Sequence, residues 1–432
     1  MKNSLFIFII LIIIGDLFFK SISMNILFPI IIIFQFYFLN KFENALIFTL
    51  FMGIISGAYF MYNGINGVGG FSIIIGLLMI RKEIFKLKHT LFKKYQPLLL
   101  ILVLFLISDF TNGYRIDYEL KSFAIFINGT LSFLVISIFF KNINKIRFKT
   151  LGIIFLILGA FLLRLCIDIN NLPGPETLFD FGFMRDQTYI YQTHAIVSEG
   201  DFTISYHLPG FLALIGLVFI LISNRISFSK SNIFFIFISF LIIYYSGGRQ
   251  NIIGFIFLIF FVVGTIKKHS ILYKFLLFSI FINAIGFALI YSESKLLNDI
   301  IYSDNLSSAI EAGGRSIHFI TGMKYFYENP LNGIGIGFHD YGNKATYPHN
   351  IFIEILAEVG VLGLLIILLA LTFSIVKNTR NKKINTNNQL LILPFLIRAM
   401  VSGSLTTNII VFSFLFSTYF WKFESKSKQS KI

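Results

Sequence analysis

The sequence predicts an all-α, polytopic integral membrane protein of about 14 transmembrane helices, within bounds of about 11 to 14, with two large loops on its outer side. Three observations carry that reading. Of the 432 residues, 56% are hydrophobic and only 13% are charged, at a mean hydropathy of +0.80; no soluble core absorbs so much apolar surface. Apolar runs of roughly 15 to 20 residues recur from one end to the other, which excludes a disordered chain and a coiled coil. The net charge of +15 is spread over short segments between those runs, a pattern that orients a chain in a bilayer rather than one that binds nucleic acid.

Taken in order, the runs fall near residues 4 to 19, 24 to 40, 44 to 61, 67 to 80, 97 to 110, 122 to 140, 150 to 167, 207 to 223, 232 to 246, 251 to 266, 273 to 291, 349 to 376, 387 to 402 and 405 to 421. The first, Ser4 to Phe19, imitates a secretory signal. No small-residue cleavage site follows it and the next run begins by Met24, so it is read as a retained span. Several runs are short for a bilayer, which leaves their ends soft. The single cysteine, Cys166, lies within an apolar run, and neither a disulfide framework nor a thiolate metal site can be built from it.

Orientation follows from Lys and Arg. Placing both termini inside puts Arg81, Lys82, Lys86, Lys88, Lys93 and Lys94 in one inner loop and Lys141, Lys145, Arg147 and Lys149 in another. On this arrangement the inner side holds 25 of the 36 basic residues and only 3 of the 21 acids, Glu43, Glu83 and Glu424. The outer side is therefore acidic. Two outer segments, 168 to 206 and 292 to 348, exceed the length of a turn within what is otherwise a single membrane domain over 1 to 432. Loops of that size are functional or disordered, and these carry Tyr, Asp, His and Arg, so folded loops are expected. His194, His207, His318, His339 and His349, five of the seven histidines, lie in them or at their edges.

The most informative stretch is Tyr347-Pro348-His349-Asn350, followed by an apolar run containing Glu354 and Glu358 and then Gly360-Val-Leu-Gly363. Proline directly before an apolar run suits a helix start, which places His349 in the first turn at the outer surface. At 100° per residue His349, Ile353, Leu356, Gly360 and Gly363 share a face, where the glycines admit a neighbouring helix or lipid. A helix N-terminus attracts phosphate and keeps a nearby imidazole neutral, hence a base. An interfacial histidine that caps a loop fits this stretch equally well.

Two further features carry arginine. Ser246-Gly247-Gly248-Arg249-Gln250-Asn251 is a tight outer turn whose glycines supply positive φ; its arginine defies the positive-inside preference, and a guanidinium fork suits pyrophosphate. Snorkelling to a lipid phosphate is the plainer account of it. Gly313-Gly314-Arg315-Ser-Ile-His318 opens a segment that runs to Glu328, where Asn329-Pro330 stops it. Arg315, His318 and Gly322 share one face of that helix, whose start is an anion site or a structural cap.

Other groupings point elsewhere. Gly333, Gly335 and Gly337 lack the βαβ setting of a nucleotide fingerprint, and His339, Asp340 and His349 match no zinc spacing; no metal and no cofactor are assigned. Arg164, Asp168 and Arg398 near span ends read as a structural ion pair between spans. The stretch holding Asp180, Asp186, Tyr189, Tyr191 and His207 offers aromatic faces and carboxylates to sugar hydroxyls.

In this order the pieces resemble the O-antigen ligase and polymerase family of bacterial envelope glycan assembly: Gly-Gly-Arg249 at a turn between spans, Gly-Gly-Arg315 followed by Asn329-Pro330-Leu-Asn-Gly333-Ile-Gly335-Ile-Gly337-Phe, and His349-Asn350 separated by nine residues from Gly360-Val-Leu-Gly363. The likeness is close over Ser246 to Leu371. It departs at Ile253, where such ligases often carry leucine. What the resemblance implies is a metal-independent, inverting glycosyltransferase of the bacterial inner membrane, working at the periplasmic face. Its donor is a glycan on undecaprenyl pyrophosphate. The positions matching Arg249 and Arg315 hold the pyrophosphate and the one matching His349 activates the acceptor hydroxyl.

Within that family the expectation here is a polymerase of lipid-linked repeat units, with undecaprenyl-pyrophosphate-linked glycan as donor and acceptor. Membrane lipids and a polysaccharide chain-length regulator are the further partners, and nucleic acid is not one. The alternatives are a ligase, which transfers glycan to lipid A-core, and a flippase, which moves lipid-linked oligosaccharide without forming bonds. A flippase needs a polar path through the membrane, yet the span centres are Ile and Phe.

Overall fold

A computed structural model describes residues 24–52, 55, 69–85, 89–111, 120–169, 207–223, 229–265, 315–336, 348, 350–380, 386–401, 409–413 and 416. Among the described residues every regular element is helical, as the composition predicts. In chain order the helices are α1 (Met24–Phe38), α2 (Lys41–Ile47), α3 (Gly69–Met79), α4 (Arg81–Phe85), α5 (His89–Thr111), α6 (Leu120–Lys141), α7 (Phe148–Ile169), α8 (His207–Ser223), α9 (Lys230–Ser246), α10 (Arg249–Thr265), α11 (Arg315–Glu328), α12 (Ile351–Arg380) and α13 (Thr386–Val401). A π-helical turn, Phe48–Met52, continues α2.

Two stretches are long and apolar enough to cross a membrane, Phe148–Leu165 in α7 and Ile351–Ala370 in α12. Shorter apolar helices cover Asn25–Phe38, Tyr95–Ser108, Ile125–Lys141, His207–Ser223, Lys230–Ser246, Gln250–Gly264 and Leu390–Met400. All of these fall on runs read as spans from the sequence. The runs near 4 to 19 and 273 to 291 lie outside the described residues, as does the expected outer loop from residue 170 to 206. The loop expected over 292 to 348 is described at 315–336 and at 348, and there it contains α11.

The chain forms two compact units. One is Met1–Met79 with Ile146–Ala309; the other is Ile80–Lys145 with Ile310–Ile432. In the first unit α7 and α8 form the centre. Lipid tails are as apolar as leucine, so helices in such a setting associate by close packing rather than by escape from water. Glycine provides it: a Cβ on Gly152 would lie 2.5 Å from the Gly216 carbonyl oxygen, and one on Gly216 would lie 2.7 Å from the Gly152 oxygen. Pro209 presents its oxygen 2.9 Å from the corresponding point at Gly159. With α8 buried from Leu208 to Ile222, it needs no polar face.

A charged corner ties the start of α2 to the start of α7 in the same unit. Asn40 caps α2, its Oδ1 accepting from the N–H groups of Phe42 at 2.9 Å and Glu43 at 3.1 Å, while Glu43 Oε2 accepts from the Asn40 N–H at 2.7 Å. The other carboxylate oxygen of Glu43 accepts from the Arg147 N–H, and the Arg147 guanidinium stands 3.6 Å away. Burial pushes the Glu43 carboxyl up, against the lowering effect of these hydrogen bonds and of Arg147. The fold thus places this acid where it serves two helix N-termini at once.

In the second unit α5 packs on α6 through Gly129, whose missing Cβ would meet Leu102 Cδ2 at 2.9 Å and Ile409 Cγ1 at 3.1 Å. Ser413 Oγ donates to the Gly129 oxygen at 3.1 Å, and the Tyr95 and Thr130 hydroxyls share a 2.6 Å bond. Outward stripes stay apolar in both units. Ile26, Ile30, Ile33 and Tyr37 on α1, Ile253, Phe257 and Phe260 on α10, and Leu362, Leu365, Leu368 and Leu369 on α12 are exposed large hydrophobics at helical spacing. Such stripes suit lipid.

Replacing Gly152 by valine forces a branched side chain into the Gly216 backbone. The expected cost is about 3 kcal/mol, read as a lower midpoint for thermal unfolding of the purified protein in detergent. An unchanged midpoint contradicts the α7–α8 packing.

Candidate functional site

The Arg249 turn is built by three helix ends of the first unit. α9 closes on Gly247, which takes the left-handed conformation (φ 67°, ψ 13°) and donates its N–H to the Ile243 and Tyr244 oxygens. Gly247 thus supplies the positive φ expected of the turn, as a helix cap. The second glycine is needed for space rather than for φ: a Cβ on Gly248 would lie 2.7 Å from Asn251 Nδ2 and 3.0 Å from His207 Nδ1. Gly248 then opens α10, its oxygen accepting from the Asn251 N–H at 2.8 Å and the Ile252 N–H at 3.3 Å. Asn251 Nδ2 donates to the His207 carbonyl at 2.8 Å, pinning the start of α8 to the start of α10. Residue 249 is therefore the first residue of a well-anchored helix, where backbone N–H groups lack intrahelical partners and a positive end-charge favours anions.

Arg315 lies on α11 in the second unit, where the described part of that segment begins. The helix runs to Glu328 and stops at Asn329-Pro330, as the sequence predicts. At Gly322 the helix meets the chain that leads into α12. A Cβ there would lie 2.8 Å from Pro348 Cγ and 2.9 Å from Ile353 Cγ2. Position 315 precedes Gly322 by seven residues, two turns, so it falls on the same face of α11 and roughly 10 Å along the axis. His349 itself lies outside the described residues.

The start of α12 differs from the expectation. Pro348 does not open the helix. Helical residues begin at Ile351, and Asn350 is the cap, its Oδ1 accepting from Phe352 N–H at 3.0 Å and Ile353 N–H at 3.3 Å, with Nδ2 donating to the Met400 oxygen at 3.2 Å. An Asn before an apolar run is the sequence signal for such a cap.

The uniform helical face drawn through Gly360 is also broken. Gly360 has φ 66° and ψ −171°, so α12 opens there, and the group that comes close is neither lipid nor a neighbouring helix. The Ile334 and Gly335 N–H groups donate to the Ala357 and Glu358 oxygens at 2.9 and 3.1 Å, and the Val361 and Leu362 N–H groups donate to the Pro330 and Leu331 oxygens at 2.9 and 3.2 Å. Ser108 Oγ adds a 3.1 Å bond to the Glu358 oxygen. The approach is backbone to backbone: a Cβ on Gly333 would lie 2.3 Å from the Glu358 carbonyl carbon, and one on Gly360 would lie 2.2 Å from the Leu331 oxygen. The Gly333 and Gly335 loop is thus a clasp for an opened helix. Gly337 lies outside the described residues. Glu354 and Glu358 are buried in this half of α12.

The described residues define an all-helical protein with two stretches apolar enough to cross a bilayer, and with Arg249 as the first residue of α10. The family resemblance is borne out as well, because residues 234–368 match the family model described as O-antigen ligase. That stretch contains Arg249, α11, the clasp, position 349 and Gly360. It supports a function of the O-antigen ligase or polymerase type. No curated protein matches the chain.

Gly333→Ala is expected to cost about 3 kcal/mol or more, since φ is positive and backbone atoms fill the space. Gly264→Ala, on a helix with open space around it, is the control and should be neutral or slightly stabilising. Equal unfolding midpoints for the two variants contradict the clasp.

Proposed function

We propose that the chain polymerises undecaprenyl-pyrophosphate-linked repeat units into O-antigen or a related surface polysaccharide, by metal-independent inverting transfer at the periplasmic face of the inner membrane. The single observation that carries the reading is the placement of Arg249 as the first residue of α10 within the matched stretch, which also holds Arg315 on α11. A guanidinium fork and unspent helix N–H groups together favour a diphosphate more than either does alone. About 14 spans, inner termini and folded outer loops over 168 to 206 and 292 to 348 belong to the same proposal.

The chemistry is one displacement. The acceptor hydroxyl oxygen attacks the anomeric carbon of the donor sugar, and the bond from that carbon to the pyrophosphate oxygen breaks from the opposite side, inverting the centre. His349 takes the hydroxyl proton as the new bond forms. The lipid pyrophosphate leaves with the electron pair, its growing charge met by Arg249 and Arg315. Pyrophosphate leaves without protonation, so no second carboxylic acid of the glycosidase type is needed.

The family match is equally compatible with a second reading, in which the acceptor is lipid A-core and the enzyme is a ligase. Loss of the gene separates them. A polymerase loss leaves core capped by one repeat, whereas a ligase loss leaves bare core and stranded lipid-linked polymer.

His349→Ala, Arg249→Lys and Arg315→Lys are each expected to abolish elongation of lipid-linked repeats by the purified protein, by at least about 100-fold, while the protein still reaches the membrane. Wild-type ladders from all three refute the assignment. Chelator should leave the elongation rate unchanged; a strict divalent requirement counts against the mechanism.

A further inference from the structure

Gln250, next to Arg249, takes no part in the displacement. It is 2% exposed, and neither its Nε2 nor its Oε1 has a hydrogen-bond partner among the described residues. Its neighbours in the turn are engaged: Asn251 bonds the His207 carbonyl and Ser246 bonds the Ile243 carbonyl. Side chains in the first turn of a helix lean back over its N-terminus, so this carboxamide is directed to the helix end that Arg249 opens. A dry carboxamide with both atoms unsatisfied is a standing cost to the fold, and such groups call for an explanation.

The two unsatisfied atoms differ in what they need. A diphosphate offers only acceptors; it would satisfy Nε2 and leave Oε1 as before. A sugar hydroxyl or an acetamido group offers a donor and an acceptor together and satisfies both atoms. We propose that Gln250 is a binding residue for the sugar attached directly to the lipid diphosphate, reading a hydroxyl or acetamido group on that first sugar while Arg249 holds the adjoining phosphates. This role rests on the proposed function and adds to it a residue that recognises the glycan rather than the anion. Leucine at this position removes the recognition and also relieves the unsatisfied burial, so affinity and stability should move in opposite directions. A residue with only a structural role would not behave in that way.

The test uses the full chain, purified in detergent, with lipid-diphosphate-linked repeat units extracted from a strain lacking its gene. Gln250→Leu should raise KM for the repeat unit about tenfold and raise the unfolding midpoint by about 2–4 °C. Competition by undecaprenyl diphosphate, which has no sugar, should be unchanged in Gln250→Leu and weakened in Arg249→Lys. Gln250→Met serves as a second variant of similar length. A wild-type KM in both Gln250 variants overturns the proposal, as does a fall in the unfolding midpoint, which would mark the amide as a bond of the fold. Equal weakening of undecaprenyl diphosphate in Gln250→Leu overturns the sugar assignment. If Arg249→Lys instead leaves both elongation and competition intact, the pyrophosphate reading itself has failed, whatever Gln250 does.

Discussion

Backbone hydrogen bonding in an apolar setting is the constraint on which the second unit depends. A helix that opens at Gly360 frees carbonyls and N–H groups that neither lipid nor apolar side chains can satisfy. The loop from Pro330 to Gly335 satisfies them in both directions, two bonds given and two received. Its glycines are there because any Cβ at Gly333 or Gly360 would collide with the opposing backbone. Through Gly322 the middle of α11 lies against Pro348 and Ile353 beside the start of α12.

The first unit solves a similar problem with different means. Three helix ends meet at the Gly247-Gly248 turn, where Ser246, Gly247 and Asn251 each bond a backbone carbonyl and the Gln250 carboxamide alone of these has no partner among the described residues. Close packing of α7 on α8 through glycine leaves no room for adjustment beneath it. In the proposed function Arg249 adds a guanidinium to a helix end that already favours an anion.

Much of this is legible in the sequence. The all-helical class follows from composition, and α11 stops at Asn329-Pro330 as expected, because proline acts locally. The turn at Gly247 is legible because glycine acts locally too. The features that escape are long-range. A constant 100° period drawn through Gly360 has no way to register that a loop earlier in the chain replaces the helix's own hydrogen bonds. Taken alone, Gly333 and Gly335 point to nothing, since their partner is a backbone and not a motif. Pro348 is the more conspicuous helix signal, yet the Asn350 side chain sets the start of α12, because a capping oxygen competes well with proline there. Nor does burial of Gln250 show in a residue string, because polarity there looks like an ordinary turn.

The central claim, that Arg249, Arg315 and His349 act on a diphosphate at the outer face, is tested most directly by thiol labelling. Single cysteines at 249, 315 and 349, each in a Cys166→Ser background, would be exposed to a membrane-impermeant maleimide applied from the periplasmic side, with and without undecaprenyl diphosphate. The account predicts labelling from that side at all three positions and, with both arginines intact, protection of a cysteine at 349 by the diphosphate. Labelling from the cytoplasmic side alone, or no protection at 349, would contradict it.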